Sequence, residues 1–109
     1  MFSRDIKTSP TVVRDDNVTM VDLFGDEIKA GDKVSMGYAI FPPETNVDMA
    51  SHSGDEYSYI LEGTVKCESG GEVHTLNAGM AGFIPAGEDY RSFNDSDKDC
   101  KLIWMLIEK

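Results

Sequence analysis

The sequence predicts an all-β fold built from short antiparallel strands. Segments rich in Val, Ile, Tyr, Phe and Met recur along the chain, a composition typical of strands. Glycine and proline stand between these segments at positions typical of turns. No window of about 11 residues has the apolar period of an amphipathic helix. Together these observations favour a β-sandwich or β-barrel.

Each predicted strand is an apolar or β-branched segment bounded by a glycine, a proline or the C-terminal end of the chain. In chain order we predict strands at 17–23 before Gly25, 33–41 before Pro42, 56–61 before Gly63, 64–67 and 72–76 on either side of Gly70 and Gly71, 81–84 before Pro85, 90–93 after Gly87, and 101–107 in the apolar C-terminal run. Gly31 and Gly79 are further predicted turn positions. We expect Gly63 and Gly87 to adopt turn conformations that a β-branched residue resists.

The length and charge of the chain narrow the classes of protein that it can be. With 109 residues and 40% hydrophobic residues, the chain suits one domain with a packed core. Acidic residues outnumber basic ones 20 to 10, which gives a formal net charge of -10. Such a chain repels nucleic acid and anionic lipid, so neither is an expected partner. Neutral or cationic small molecules are favoured as ligands.

The N-terminal sequence, the longest apolar run and the spacing of the two cysteines indicate the cellular location of the chain. The N-terminal residues lack the apolar segment of a secretory signal, and the longest apolar run, "LIWMLI", is far shorter than the roughly 20 residues that cross a bilayer. Cys67 and Cys100 lack CxxC spacing and are expected to be reduced thiols, with a disulfide or a ligand role as alternatives. We therefore expect a cytoplasmic protein, with residues 1–32 as an N-terminal segment packed on a barrel formed by residues 33–109.

The predicted strand at 56–61 has two different faces, because alternate side chains of a strand share a face. If the chain is extended from residue 52, then His52, Glu56 and Ser58 lie on one face with Ile60 and form the floor of a pocket. The opposite face is aromatic and apolar and needs cover from the N-terminal segment or from a second subunit; it carries Tyr57, Tyr59 and Leu61. We therefore expect a homodimer.

Two motifs resemble those of the cupin superfamily. The first family motif is G(X)5HXH(X)3,4E(X)6G. Glu56 and Gly63 match its E(X)6G, and His52 matches its second histidine. Ala50 occupies the position of the first histidine, and Glu44 stands where the leading glycine is expected.

The second family motif is G(X)5PXG(X)2H(X)3N, and the segment "GMAGFIPAGEDYRSFN" resembles it. Its four positions other than the histidine are matched by Gly79, Pro85, Gly87 and Asn94. Tyr90 stands where the histidine is expected. The resemblance covers roughly residues 33 to 107 and implies a double-stranded β-helix, a jelly-roll barrel with a ligand site in its mouth.

In metal-binding cupins the motif histidines and glutamate hold a divalent transition metal, and this resemblance implies the same role for His52 and Glu56 here. Ala50 has no ligating atom, and a phenol such as Tyr90 ligates a metal only after losing its proton. Asp48 shares strand parity with His52 and is a candidate additional ligand, as is Tyr90. His74 is a further candidate if it turns inward from its strand.

The resemblance leaves three functions open, because the superfamily carries many chemistries. The first is a binding protein with a partly lost metal site, in which Glu56, Tyr90, Ser58 and Trp104 contact a small polar molecule. The second is a metal-dependent isomerase, lyase, decarboxylase or dioxygenase acting on a small carboxylate or sugar. The third is metal-free catalysis with His52 as general base and Tyr90 as acid.

Overall fold

The computed structural model of the chain describes residues 1–25 and 34–108. Within these ranges the chain forms one short 3-10 helix, Ile6–Thr8, and nine strands: β1 (Thr11–Val13), β2 (Thr19–Phe24), β3 (Val34–Phe41), β4 (Gly54–Glu62), β5 (Thr64–Ser69), β6 (Glu72–Asn77), β7 (Ala81–Ile84), β8 (Tyr90–Phe93) and β9 (Cys100–Glu108). A six-stranded sheet has the order β1-β2-β3-β9-β4-β7, and a three-stranded sheet has the order β6-β5-β8. All ladders are antiparallel, which confirms the predicted jelly-roll class.

All eight predicted strands correspond to observed strands, with ends shifted by a few residues. β1 was not predicted, and it has no buried residue that would give an alternating pattern. It forms because its backbone pairs with β2, where Thr11 lies opposite Val21. The predicted turn at Gly31 and the predicted boundary between residues 32 and 33 lie outside the described residues.

The connection 42–53 extends the smaller sheet although it is not a regular strand. Ala50 and Tyr90 form an isolated antiparallel bridge, as do Asn46 and Phe93. Between these bridges the Val47 amide donates to the Ser92 carbonyl at 3.0 Å. The connection therefore lies along β8 and forms one lip of the barrel mouth.

The main core lies between the two sheets. Its buried residues come from both sheets and pack around Ile60, which is fully buried: Val18, Ala39, Ile60, Val65, Cys100 and Leu102. A second cluster of Val21, Leu23 and Tyr38 lies on the outer face of the six-stranded sheet. Both cysteines are free and buried. Among residues 1–25 and 34–108, no helix has the length and apolar character needed to cross a membrane.

Candidate functional site

A cavity of about 450 Å³ opens at the barrel mouth between the two sheets. Its deeper walls are largely apolar and include Met20, Phe41, Val65, Leu76 and Leu102. Its polar wall carries the predicted residues His52, Glu56, Ser58 and Tyr90. A volume of this size is in the range of small-molecule sites, which combine an apolar lining with a few placed polar groups.

Glu56 is the centre of the polar wall, and it lies near the start of β4. Tyr90, which β8 presents from the opposite sheet, faces this carboxylate closely enough for the two groups to influence each other's pKa, with the phenol as the donor and the carboxylate as the acceptor. His52 approaches from the connection 42–53, with its Nε2 at 3.8 Å from Oε1 of Glu56. The His52 and Tyr90 rings are 5.7 Å apart and inclined by 50°.

The position of His52 is set by backbone contacts rather than by a strand. The Gly87 amide donates to the His52 carbonyl at 2.9 Å, which ties this residue to the loop between β7 and β8. The imidazole itself is partly exposed, with 44% of its side chain accessible. It therefore lies at the rim of the mouth, whereas Glu56 lies further in.

Burial is the main influence on the titration of Glu56 and Tyr90. Burial raises the pKa of Glu56, while the nearby His52 and the hydrogen bond from Tyr90 oppose that rise. Burial also raises the pKa of Tyr90, and the charge and hydrogen bond of Glu56 raise it further. The phenol therefore keeps its proton at neutral pH and serves as a hydrogen-bond donor.

Cys67 lines the same cavity and was not assigned to the site from the sequence. Burial raises the pKa of its thiol, and the charge of Glu56 adds to that effect. A protonated thiol is neither a strong nucleophile nor a metal ligand. Strand parity with Val65 is the signal that could have placed Cys67 on the inner face, because both residues of β5 are buried.

His74 also lines the cavity. This is the inward position that its role as a candidate ligand required. It lies opposite Cys67 in the β5–β6 ladder. Its Nε2 is 3.7 Å from Oε2 of Glu72, and both side chains are mostly exposed. His74 therefore lies at the open side of the cavity.

Ser58 and Trp104 both line the cavity and lie directly opposite each other on β4 and β9. Trp104 faces Gly37 on its other side, where an added Cβ would lie 2.3 Å from Cζ2 of the indole. Only glycine leaves room for the ring at that position. Within the described part of the chain, the buried Nε1 of Trp104 has no hydrogen-bond partner.

Asp48 is exposed and is not among the described residues that line the cavity. Its neighbour Val47 lines the cavity instead. The parity argument that grouped Asp48 with His52 does not apply, because the connection 42–53 is an irregular segment whose side chains do not alternate regularly from 47 to 52.

Arg14 and Glu88 are two charged cavity residues that the sequence did not indicate. Arg14 lies in the β1–β2 connection and pairs with Asp16 at 2.6 Å. The side chain of Glu88 accepts a hydrogen bond from Ser69. Neither residue belongs to a motif, and only the folded chain brings them to the mouth.

The donor set does not fit a resident divalent metal. Among residues 1–25 and 34–108, no group of three or more His, Cys, Asp and Glu side chains is arranged to hold a metal ion. His52 and Glu56 supply two donors, whereas a catalytic zinc site commonly has three protein ligands. Ala50 supplies none, and the Tyr90 phenol keeps its proton beside the Glu56 carboxylate, because its pKa is raised.

Comparison with known proteins adds a family and a set of similar folds. The family model described as "Cupin domain" matches residues 37–106. A predicted oxalate decarboxylase from Thermotoga maritima is 22% identical, with a TM-score of 0.87 and all of both chains covered. An RmlC-like cupin from Shewanella frigidimarina is 15% identical, with a TM-score of 0.83 and 100% and 92% of the two chains covered.

A third solved structure, the TT1209 protein of Thermus thermophilus, is 25% identical to this chain. Its TM-score is 0.78, and the alignment covers 99% of this chain and 98% of that one. The sequence has no significant match among curated proteins. The similarity to these structures concerns the fold over nearly the whole chain.

Proposed function

The chain belongs to the cupin family, and from that membership we propose that it binds a small polar molecule in the barrel mouth without a resident metal ion. The observation that carries this proposal is the contact between Glu56 and Tyr90 inside a cavity with apolar deeper walls. The contact supplies one acceptor and one donor at a fixed place, and His52 adds a second polar group at the rim.

The lining indicates what kind of molecule fits. A hydroxyl or ammonium group on the ligand would donate to Glu56, in keeping with the acidic chain. The body of the ligand would lie against Phe41, Val65 and Leu102 and displace water from them. We therefore propose a ligand with a donor group at one end and an apolar part at the other, with Ser58 and Trp104 beside it.

A thermal-shift screen of small alcohols, amines and hydroxy acids tests this proposal. A ligand that binds the folded protein raises its melting temperature, and the rise should disappear in Glu56→Gln and shrink in Tyr90→Phe. Glu44→Gln is the matched control, because Glu44 is exposed and does not line the cavity. Equal shifts in Glu56→Gln and in the wild type would contradict the proposal.

The metal-dependent alternative is tested separately by elemental analysis of protein purified without a histidine tag. We expect no stoichiometric metal after incubation with Mn, Fe, Ni, Zn or Cu, since only two donors converge among the residues that the structure describes. Metal that is retained by the wild type and lost in both His52→Ala and Glu56→Ala would overturn the metal-free proposal in favour of a metal-dependent enzyme.

A second candidate is metal-free proton transfer, which the convergence of His52, Glu56 and Tyr90 on one cavity favours. His52 would act as the general base. Tyr90 would hold the developing charge as a donor, because its raised pKa makes it a poor acid. Incubating sugars and hydroxy acids with the protein in D₂O, followed by NMR, would detect exchange; persistence of exchange in His52→Ala would rule out this role.

We also propose a cytoplasmic location, on the basis of two free buried cysteines in one small domain. Cell fractionation with an antibody against the native protein tests it, and recovery in a secreted or periplasmic fraction would refute it.

A further inference from the structure

The Arg14 guanidinium adds a permanent positive charge to the cavity wall, and the contact of a ligand with Glu56 does not involve it. Among the described residues that line this cavity, Arg14 is the only arginine, and no lysine lines it. An arginine side chain stays ionised at physiological pH, and its planar fork of N–H donors matches the two oxygens of a carboxylate. Its place in the wall therefore indicates an anionic group on the ligand.

The turn between β1 and β2 fixes the backbone of Arg14. The Arg14 amide donates to the Val18 carbonyl at 2.9 Å, and the Asn17 amide donates to the Arg14 carbonyl at 2.9 Å. Asn17 has a φ of 70°, a left-handed conformation that asparagine tolerates in turns. Val18 is fully buried in the main core. Arg14 is therefore anchored to the core through Val18, although its own side chain lies at the surface.

Asp16 holds the Arg14 guanidinium in position. Nη2 of Arg14 lies 2.6 Å from Oδ2 of Asp16, while Oδ1 of Asp16 accepts from the Val18 amide at 3.2 Å. This contact uses Nη2, and a guanidinium has further N–H donors on its other nitrogens. The Arg14 side chain is 43% exposed. The pair contributes little to stability at such exposure, and the guanidinium remains open to a carboxylate.

The Tyr90 phenol lies within electrostatic range of both a cation and an anion of the cavity. Glu56 raises the pKa of this phenol, and Arg14 lowers it. Glu56 and Arg14 come from β4 and from the β1–β2 turn, and both line the same cavity. One small molecule in the cavity can therefore meet a carboxylate and a guanidinium.

We propose that the ligand is a zwitterion, an amino acid, whose ammonium group donates to Glu56 and whose carboxylate accepts from Arg14. This inference rests on the proposed function, because it names the class of small polar molecule that the barrel mouth takes. Both contacts are charge-assisted hydrogen bonds, which are stronger than those between neutral groups. The apolar part of the molecule lies against Phe41, Val65 and Leu102.

Net charge distinguishes an amino acid from a simple carboxylate or hydroxy acid. The chain carries -10 and repels an anionic molecule. An amino acid brings its carboxylate together with an ammonium group and is neutral overall.

A diammonium compound fits the cavity less well than an amino acid does. Its second ammonium group would need Glu88, the other glutamate that lines the cavity, and Glu88 already accepts a hydrogen bond from Ser69. Such a compound would also leave Arg14 beside a ligand of the same charge. An amino acid satisfies Glu56 and Arg14 together.

Isothermal titration calorimetry of the full chain with two matched pairs of molecules tests the inference. Leucine is compared with isoamylamine, and δ-aminovalerate with butylamine, because each amine lacks only the carboxylate of its partner. The two pairs cover a short and a long spacing between ammonium and carboxylate. In at least one pair, the wild type should bind the amino acid about tenfold more tightly than the amine.

Variants of Arg14 show whether this preference comes from the guanidinium. Arg14→Gln should bind the amine as the wild type does and should lose the preference for the amino acid. Arg14→Lys should keep part of the preference, since it retains the charge and loses the fork. Lys98→Gln is the control, because it removes one positive charge at an exposed residue that does not line the cavity, and it should keep the whole preference.

The outcomes separate this inference from the proposed function. Equal binding of amine and amino acid by the wild type would overturn the inference alone, as would a preference that persists in Arg14→Gln. Binding of neither molecule in both pairs would overturn the inference as well. Amine binding that survives unchanged in Glu56→Gln would contradict the proposed function itself.

Discussion

Ala50 and Tyr90 are paired by two reciprocal backbone hydrogen bonds, 2.9 Å from the Ala50 amide and 2.8 Å from the Tyr90 amide. These are the two positions at which the sequence motifs place histidines. Because the two residues face each other across one narrow bridge, the two replaced positions are neighbours at one lip of the cavity. Ala50 and Tyr90 thus lie together beside His52 and Glu56 at the cavity mouth, where the phenol of Tyr90 is a hydrogen-bond donor.

Tyr90→Phe should raise the pKa of Glu56 further. The phenol hydrogen bond stabilises the carboxylate form and so lowers the pKa of Glu56. Without it, only His52 opposes the rise in this pKa that burial causes. The side-chain carboxyl chemical shift of Glu56, followed by NMR against pH, measures the change. Tyr57→Phe, on the outer face, is the control and should leave the titration of Glu56 as it is. An unaltered Glu56 pKa in Tyr90→Phe would show that the phenol does not donate to the carboxylate.

Glu56→Gln should remove a pH-dependent part of the stability. The pKa of Glu56 is raised above its ordinary value of 4.5, so the folded state favours the protonated carboxyl. Its stabilising contribution is complete below the unfolded pKa and is lost as pH rises through the higher folded pKa. From pH about 4.5 upwards, the wild type should therefore lose stability relative to Glu56→Gln. Urea unfolding midpoints of both proteins at several pH values measure this difference, and parallel curves would refute it.

Gly63→Ala should destabilise the protein more than Gly87→Ala does. Both glycines have positive φ, +80° and +81°, which confirms that both occupy turn conformations. At Gly63 a Cβ would also lie 2.3 Å from the Asp99 carbonyl oxygen, whereas at Gly87 it would meet nothing within 4 Å. We expect a loss of about 1 kcal/mol for Gly87→Ala and about 3 kcal/mol or more for Gly63→Ala. Chemical unfolding measures both losses, and equal losses would show that the close contact has no cost.

Asn94→Ala should cost about 2–4 kcal/mol of stability. The Asn94 amide is buried and donates to the carbonyls of Phe41 and Lys98 at 2.8 Å each, while its oxygen accepts from Ser96. Alanine would leave two carbonyls without this donor inside the fold. Asn77→Ala is the control, because Asn77 is exposed and its side chain pairs with Thr64 alone among the contacts described. A loss no larger than that of the control would show that other groups or water satisfy the carbonyls.

The sequence was sufficient for eight of the nine strands that the structure describes, because glycine and proline mark their ends. Gly63 and Pro85 stop β4 and β7 within one residue, and no helical pattern competes with the apolar segments. The sequence did not predict β1, and the reason is physical. Its three residues are exposed, so its place depends on backbone pairing with β2 and not on an alternating apolar pattern.

The positions of the candidate site residues were predictable where a regular strand carries them. Glu56 and Ser58 follow from the alternation of β4, and Trp104 follows from its place on β9. The connection 42–53 has no such regularity, so Asp48 was grouped with residues from which it is separated. Arg14 lines the cavity from the β1–β2 turn, which is distant in sequence from β4. No spacing rule therefore connects Arg14 to Glu56.

Glu56 on β4 and Tyr90 on β8 face each other from the two sheets of the barrel, across the entrance to the cavity. A ligand bound as we propose would offer its own donor to Glu56 and would compete with the phenol for the same carboxylate. Its affinity would then include the free-energy cost of displacing the phenol, and a molecule without a donor group would gain nothing at this position.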